Sequence, residues 1–394
     1  MSNFTDFISG GGDAAPIPTT QFVIGQSKTF TAPLTGRIKV IVTGGGGQGA
    51  YLYNSSSSIT SNTGDATGGG GGGYSEKTFN VTAGETFTIT IGAGGSYSGA
   101  MNDLNSSRVG SNGGASSFVT ASAAESVNMV ANGGGGGQFS AGTSSAVTTA
   151  GGTGGTASGG DFNYTGGAGG SISRVAGCQY NATVTGGGNV ALYGTAYHGG
   201  NVTMTGAVGG QDKIIATGGA GVGGSGGDVL GIDSTGSRSY RSDGGSASRD
   251  GSSDYLATTE TGNSSGTSGG PTGSTISVID AQGTGGYSRA AYNVSLYSGS
   301  GGFGGGGGSA AGWNQNNSNS YSFESGVGGG FGGSGALVWV SNTNYSGVAY
   351  LGTRAGGDGG GGSGAFSGLI HSMTSATNRH WGAGGDGMCI IMFV

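Results

Sequence analysis

Fourteen aspartates and five glutamates are the carboxylates from which an acid–base pair could be drawn. Glycoside hydrolysis needs two of them about 5 to 9.5 Å apart in a cleft. Here they are scattered, mostly beside Gly or Ser, and Asp228, Asp358 and Asp386 sit inside glycine motifs, where turn roles are expected. His198, His371 and His380 fit neither zinc-ligand nor triad spacing, and the last two flank a loop, Ser372 to Arg379. Cys178 and Cys389 are too few for a disulfide framework or a four-ligand zinc site and read as small thiols without chemistry. GVGGSG at 221–226 satisfies GxGxxG, but in so glycine-rich a chain that match is expected by chance, and no βαβ pattern follows. GGSGGDVL at 223–230 fits one calcium-binding nonapeptide, and a single copy is not an array. The expectation is a chain without catalytic residues, cofactor or metal.

A different chemistry recurs in a pattern. Segments mixing aromatics with Ser and Asn separate the glycine runs, and they carry Tyr51, Tyr53, Tyr193, Tyr197, Tyr240, Tyr287, Tyr292, Tyr297, Trp313 and Tyr321. That is the composition of a binding surface: Tyr and Trp supply large contact area at low entropy cost, while Ser, Gly and Asn supply adaptable hydrogen bonds. Such segments work best as loops on a rigid support. The alternative is that the rings fold back onto the support.

The support must be built mostly from glycine, which accounts for 101 of 394 residues. Charged residues are 8% and the net charge is −6, which excludes a basic nucleic-acid binder. Glycine does not recur at every third position and Pro is nearly absent, which excludes collagen. Against disorder stand 33 aromatic residues and several apolar runs of two-residue period. No run approaches the roughly 18 to 20 apolar residues of a membrane helix, and MSNFTDFISGGG lacks the pattern of a secretory signal. The expectation is a protein made in a cytoplasm and not inserted in a membrane.

Alternation predicts strands at 21–24, 27–31, 37–42, 116–120, 127–131, 274–280, 336–340, 347–351 and 388–394. In the third of these, Ile38, Val40 and Val42 face a core. Residues 74–81 and 86–91 read as a hairpin around Thr82-Ala-Gly-Glu85, with Phe79 and Val81 facing Phe87, Ile89 and Ile91. No stretch carries a helical stripe, so almost no α-helix is expected. Ordering interior glycines costs about 0.5–1 kcal/mol each relative to Ala, so something specific must offset it. Extended three-residue-per-turn helices, polyglycine II, packed side to side would do so, because bare backbones approach closely enough to bond from one to the next. The predicted fold is all-β and glycine-rich: small terminal β-sheets around a packed polyglycine II core. It comprises a short segment, 1–20, and one domain, 21–394.

Several pieces in order are similar to the glycine-rich domain of bacteriophage tail fibres and distal tail-fibre adhesins. They are FTAPLTGRIKVIVTGGGG at 30–47, GGGGGGYSEKTFNVTAGETFTITIGAGG at 68–95, NGGASSF at 112–118, ANGGGGG at 131–137 and the ending GAGGDGMCIIMFV at 382–394. Residues 138–386 resemble that family in composition only. The resemblance implies a virion protein on a phage tail that contacts a bacterial surface receptor, protein or glycan, through its variable segments. Other tail proteins would then dock on residues 1–20, with Phe4, Phe7 and Ile8 as the candidate contacts. A structural spacer, cap or decoration protein is the alternative. Self-association, as monomer or trimer, is left open.

Overall fold

In the computed structural model the described residues are 21–54, 64–96, 107–141, 145–176, 181–192, 194–205, 213–230, 238–246 and 250, with 253–257, 289–292 and 296–297. Beyond these they are 306–307, 309–314, 322–324, 326, 328, 330–341, 350–352, 356–362, 365–368, 379–380 and 382–394. They are all-β, with no helix among them. The expected strand at 274–280 lies outside the described residues.

Strands and glycine runs alternate along the chain. It begins with β1 (Gln21–Ile24), β2 (Lys28–Thr31) and β3 (Gly36–Thr43). A glycine run leads to β4 (Tyr51–Asn54) and β5 (Gly64–Ala66), and another returns to β6 (Tyr74–Val81) and β7 (Thr86–Thr90). Next come β8 (Ser116–Ser122) and β9 (Asn128–Ala131), then, across a run, β10 (Phe139–Ala141) and β11 (Val147–Thr149). The chain comes back to β12 (Ala157–Ser158) and β13 (Phe162–Tyr164) and leaves again to β14 (Ile172–Arg174) and β15 (Asn181–Val184). From there follow β16 (Val202–Met204), β17 (Lys213–Ala216), β18 (Arg238–Ser242) and β19 (Ser253–Ala257). Eight strands succeed them, two at a time along the chain: β20 (Arg289–Tyr292) then β21 (Leu296–Tyr297), β22 (Ala310–Asn314) then β23 (Ser322–Glu324), β24 (Leu337–Ser341) then β25 (Tyr350–Gly352), and β26 (Ala365–Gly368) then β27 (Arg379–His380). A last run reaches β28 (Met388–Phe393).

Two five-stranded sheets, β1-β28-β3-β6-β13 and β12-β9-β8-β7-β2, form a sandwich at one end, here called the base. Ile38, Val40, Val42, Phe79, Val81, Phe87, Ile89, Phe118, Met129, Cys389 and Ile391 fill it. The expected facing of Phe79 and Val81 toward Phe87 and Ile89 holds, but the expected hairpin does not. β6 pairs with β3 and β13, and β7 pairs with β2 and β8. Residues 82–85 therefore cross from one sheet to the other, and Phe79 and Phe87 meet across the core with centroids 5.7 Å apart. A two-residue period says which side chains share a face, not whether two strands share a ladder. β28 is apolar on both faces because Met388 and Ile390 turn outward. They pack with Ile41, Tyr74, Val190, Val222 and Phe331, three of which come from later turns of the chain.

The glycine runs bond to one another. Gly44, Gly47 and Ala50 donate their amides to Gly73, Gly70 and Thr67 at 3.0, 2.8 and 2.9 Å. Gly45 and Gln48 donate to Gly114 and Ser111, and Gly46 and Gly49 to Gly385 and Gly382. Each amide returns to the same neighbour after three residues, so one run is shared among three antiparallel partners. Run 67–73 is bonded to six others: 44–50, 132–138, 152–155, 166–170, 186–189 and 359–362. Those six are bonded in turn to each other around it, through Gly134–Gly45, Gly135–Thr153, Gly169–Gly152, Gly170–Gly186, Gly361–Gly188 and Gly362–Gly47. A Cβ on Gly68, Gly69, Gly70, Gly71, Gly72 or Gly73 would fall closer than 3.0 Å to backbone of a neighbouring run. This answers the backbone accounting for a buried segment without side chains: the partners are other glycine runs.

Candidate functional site

Because runs leaving the base lead to the remaining strands, those strands collect at the opposite end, the tip. Its sheets are six-stranded (β10-β5-β15-β17-β18-β19), three-stranded (β11-β14-β16), five-stranded (β20-β22-β24-β26-β4) and four-stranded (β21-β23-β25-β27). Leu52, Ala66, Ala182, Val184, Ile214 and Ala216 pack between the six- and five-stranded sheets. Ile172, Val202, Met204, Val229 and Ile215 pack between the six- and three-stranded ones. Ile214 and Ile215 serve opposite faces, the alternation expected of a strand between two layers.

Several of the aromatic segments expected to be loops are strands of these sheets. Tyr292 and Trp313 are register partners in parallel neighbours, and Tyr53 is the partner of Ser367. Tyr240 is the partner of Tyr255, and its half-buried ring packs against the layer containing Ile215. Tyr297 is the partner of Glu324. Tyr51 departs from the expectation of an exposed contact. It is 5% exposed, on a strand seated beside β26, with its amide bonded to Arg108 O at 2.9 Å. Tyr197 is half-buried and lies between glycine runs away from the other aromatics: its amide donates to Asn189 Oδ1 at 2.8 Å, and Val190 joins the cluster on the outer face of the base sheet. The structure therefore brings Tyr53, Tyr240, Tyr292, Tyr297 and Trp313 to the tip on strands and places Tyr197 at the base side. Tyr193, Tyr287, Tyr321, Phe4, Phe7 and Ile8 lie outside the described residues.

Of the three carboxylates expected in turns, Asp358 lies in one, whereas Asp228 and Asp386 accept from amides of segments distant in the chain. Asp228 Oδ1 accepts from Asn201 N at 2.7 Å, and Asp386 Oδ1 accepts from Gly94 N at 2.7 Å. Burial, and secondarily the charge of Asp386, raises the Asp358 carboxyl above its ordinary range. His198 Nδ1 is 4.0 Å from Asp228 Oδ1 and 2.8 Å from Gly199 O. GVGGSG forms a tight turn in which Gly221 and Gly224 bridge antiparallel. Cys389 is fully buried, and desolvation pushes its thiol up to about 12, which leaves no thiolate for chemistry near neutral pH. Among the described residues no group of three or more His, Cys, Asp or Glu is placed to hold a metal.

One polar cluster had no signal in the sequence. Arg174 Nη2 faces Asp65 Oδ2 at 3.2 Å with both side chains at 0% exposure, and Thr149 Oγ1 donates to the same oxygen at 3.3 Å. A lone Asp and a lone Arg more than a hundred residues apart carry no local pattern; only the meeting of β5 with β14 creates the pair. Desolvation outweighs the pull of Arg174 and Thr149 and raises the Asp65 carboxyl from 3.8 to about 6. The folded value lies above the unfolded one, so the contribution of this group to stability is full below about pH 4 and is lost as pH rises through about 6. Denaturant midpoints measured across that window should fall more steeply in the wild type than in Asp65→Asn; equal slopes would contradict the assignment.

A model of the glycine-rich domain family matches residues 20–253, which contain the base sandwich except β28, and run 67–73 with five of its six neighbours, all but 359–362. No curated protein matches the chain. The family match spans more than half of the sequence and runs through β18, the last of the four parallel strands β5, β15, β17 and β18, so this chain belongs to the glycine-rich domain family.

Proposed function

We propose that this chain is a bacteriophage tail-fibre or adhesin protein that binds a bacterial surface molecule, protein or glycan, from the tip of its glycine lattice. In this reading the runs are polyglycine II helices, whose three residues per turn match the return of each amide to the same neighbour. The observation that carries the proposal is polarity. Gln21 is the register partner of Met392, next to Phe393 at the edge of the base, so the chain enters and leaves the domain there. The strands bearing Tyr53, Tyr240, Tyr292, Tyr297 and Trp313 lie at the far end of the runs. A lattice bonded in three directions holds the tip at a fixed pose, so binding loses little entropy to ordering the scaffold. Residues 1–20 would join the base to other tail proteins, placing the protein in the virion.

The purified chain should bind cells of a susceptible strain and block phage adsorption to them. Trp313→Ala, with unchanged melting, should weaken cell binding by about 30-fold, the loss of a hot-spot side chain worth roughly 2 kcal/mol. Full adsorption in the presence of saturating protein, together with particles that carry the protein away from the distal end, would instead favour a structural spacer or cap.

A further inference from the structure

Among the described residues, seven buried side-chain nitrogen and oxygen atoms have no hydrogen-bond partner within the protein, and five of them belong to three residues at one place. These are Asp65 Oδ1, Arg174 Nε, Nη1 and Nη2, and Thr183 Oγ1. Thr183 is the register partner of Asp65 on the neighbouring parallel strand, so both occupy one row of the six-stranded sheet. Arg174 reaches that row from the three-stranded sheet, as does Thr149 of the adjoining strand β11, two residues along from Arg174's register partner Val147. All three residues are buried, in a layer otherwise lined by Ile172, Met204 and Ile215.

Buried polar groups in folded proteins are satisfied by protein or by ordered water, and a water needs two to four polar partners to be held. Here the donors are guanidinium N–H groups, the acceptor is a carboxylate oxygen, and the threonine hydroxyl can serve either way. We propose that this cluster is an internal hydration site, in which at least one long-lived water accepts from Arg174 and donates to Asp65 Oδ1 or Thr183 Oγ1, keying the three-stranded sheet onto the six-stranded one. The guanidinium already faces the Asp65 carboxylate, so the site has no surplus positive charge with which to recruit an anion. A hydrated ion pair fits only one stagger of the two sheets, which is the best-attested use of buried charge.

The test uses the whole chain. Magnetic relaxation dispersion of solvent oxygen-17 reports long-lived internal waters, and the Asp65→Leu/Arg174→Met double variant should lose at least one relative to wild type. Should that variant fail to fold, water cross-peaks to the Arg174 Nε proton in nitrogen-15-labelled wild type decide the matter, and a bound-water cross-peak is expected. Equal dispersion in the two folded proteins, or an Arg174 Nε signal without a water cross-peak, would overturn the proposal. So would saturable shifts of that signal on bromide titration, which would make the occupant an anion.

Discussion

Gly71→Ala is expected to destabilise the protein by at least about 3 kcal/mol, beyond the usual cost of overpacking, while Gly25→Ala stays within about 0.5 kcal/mol of wild type. The difference lies in what a methyl group meets. At Gly71 it would overlap the backbone carbonyl of Asn189, whereas nothing lies within 4 Å of a Cβ at Gly25. The neighbouring atom at Gly71 is main chain, so no rotamer change relieves the clash. Separating the two runs would also strain the amide of Gly71, which donates to Gly167 O at 2.8 Å, and that of Gly188, which donates to Gly69 O at 3.0 Å. Because run 67–73 sits within a ring of six, the displacement has no free side to relax into. Chemical denaturation of both variants measures the contrast, and equal midpoints would show that the runs yield easily.

Phe87→Ala carries the second large effect, about 3–5 kcal/mol. The ring is fully buried, stacked on Phe118 with centroids 4.8 Å apart and edge-on to Phe79 at 5.7 Å. These three rings come from both base sheets, so truncating the middle one opens a cavity where the sheets meet. The loss should appear as a lower denaturation midpoint, and the Phe118→Ala and Phe87→Ala effects should be non-additive because the rings touch. A loss below about 1 kcal/mol, or strict additivity, would contradict this core.

The base was legible in the sequence where period-two alternation runs for several residues. Residues 74–81 read as a strand and form β6 with the same bounds, and Ile38, Val40 and Val42 face the core as alternation requires. What alternation could not supply was partnership. Thr82-Ala-Gly-Glu85 has the composition of a hairpin turn, yet the two strands it joins belong to different sheets, and β28, more than three hundred residues away, lies between β1 and β3. The tip was the less legible half. Its strands are two to five residues long, and alternation picked out only β24, expected at 336–340, and β25, expected at 347–351; β20, β22, β24, β26 and β4 form one sheet although they are far apart in the chain. Tyr51 was misread for the same reason: its segment has the composition of a loop, while its position beside β26 buries it.

The glycine runs themselves were recognised by a physical demand rather than by a motif. A hundred glycines without a repeat must either stay unfolded or find backbone partners, and here each described run finds them in other runs. The ion pair of Asp65 and Arg174 shows the opposite limit, a feature that exists only in three dimensions.

Site-resolved amide hydrogen exchange at Gly69, Gly70, Gly71, Gly72 and Gly73 tests the lattice most directly. All five are buried, and their amides donate to Gly362, Gly135, Gly167, Gly359 and Asn132 at 2.7 to 2.9 Å. They should exchange as slowly as the central amides of β3, opening only with global unfolding. Exchange at the rate of an unstructured chain, while β3 stays protected, would show that the runs do not clasp one another and that the tip has no rigid support.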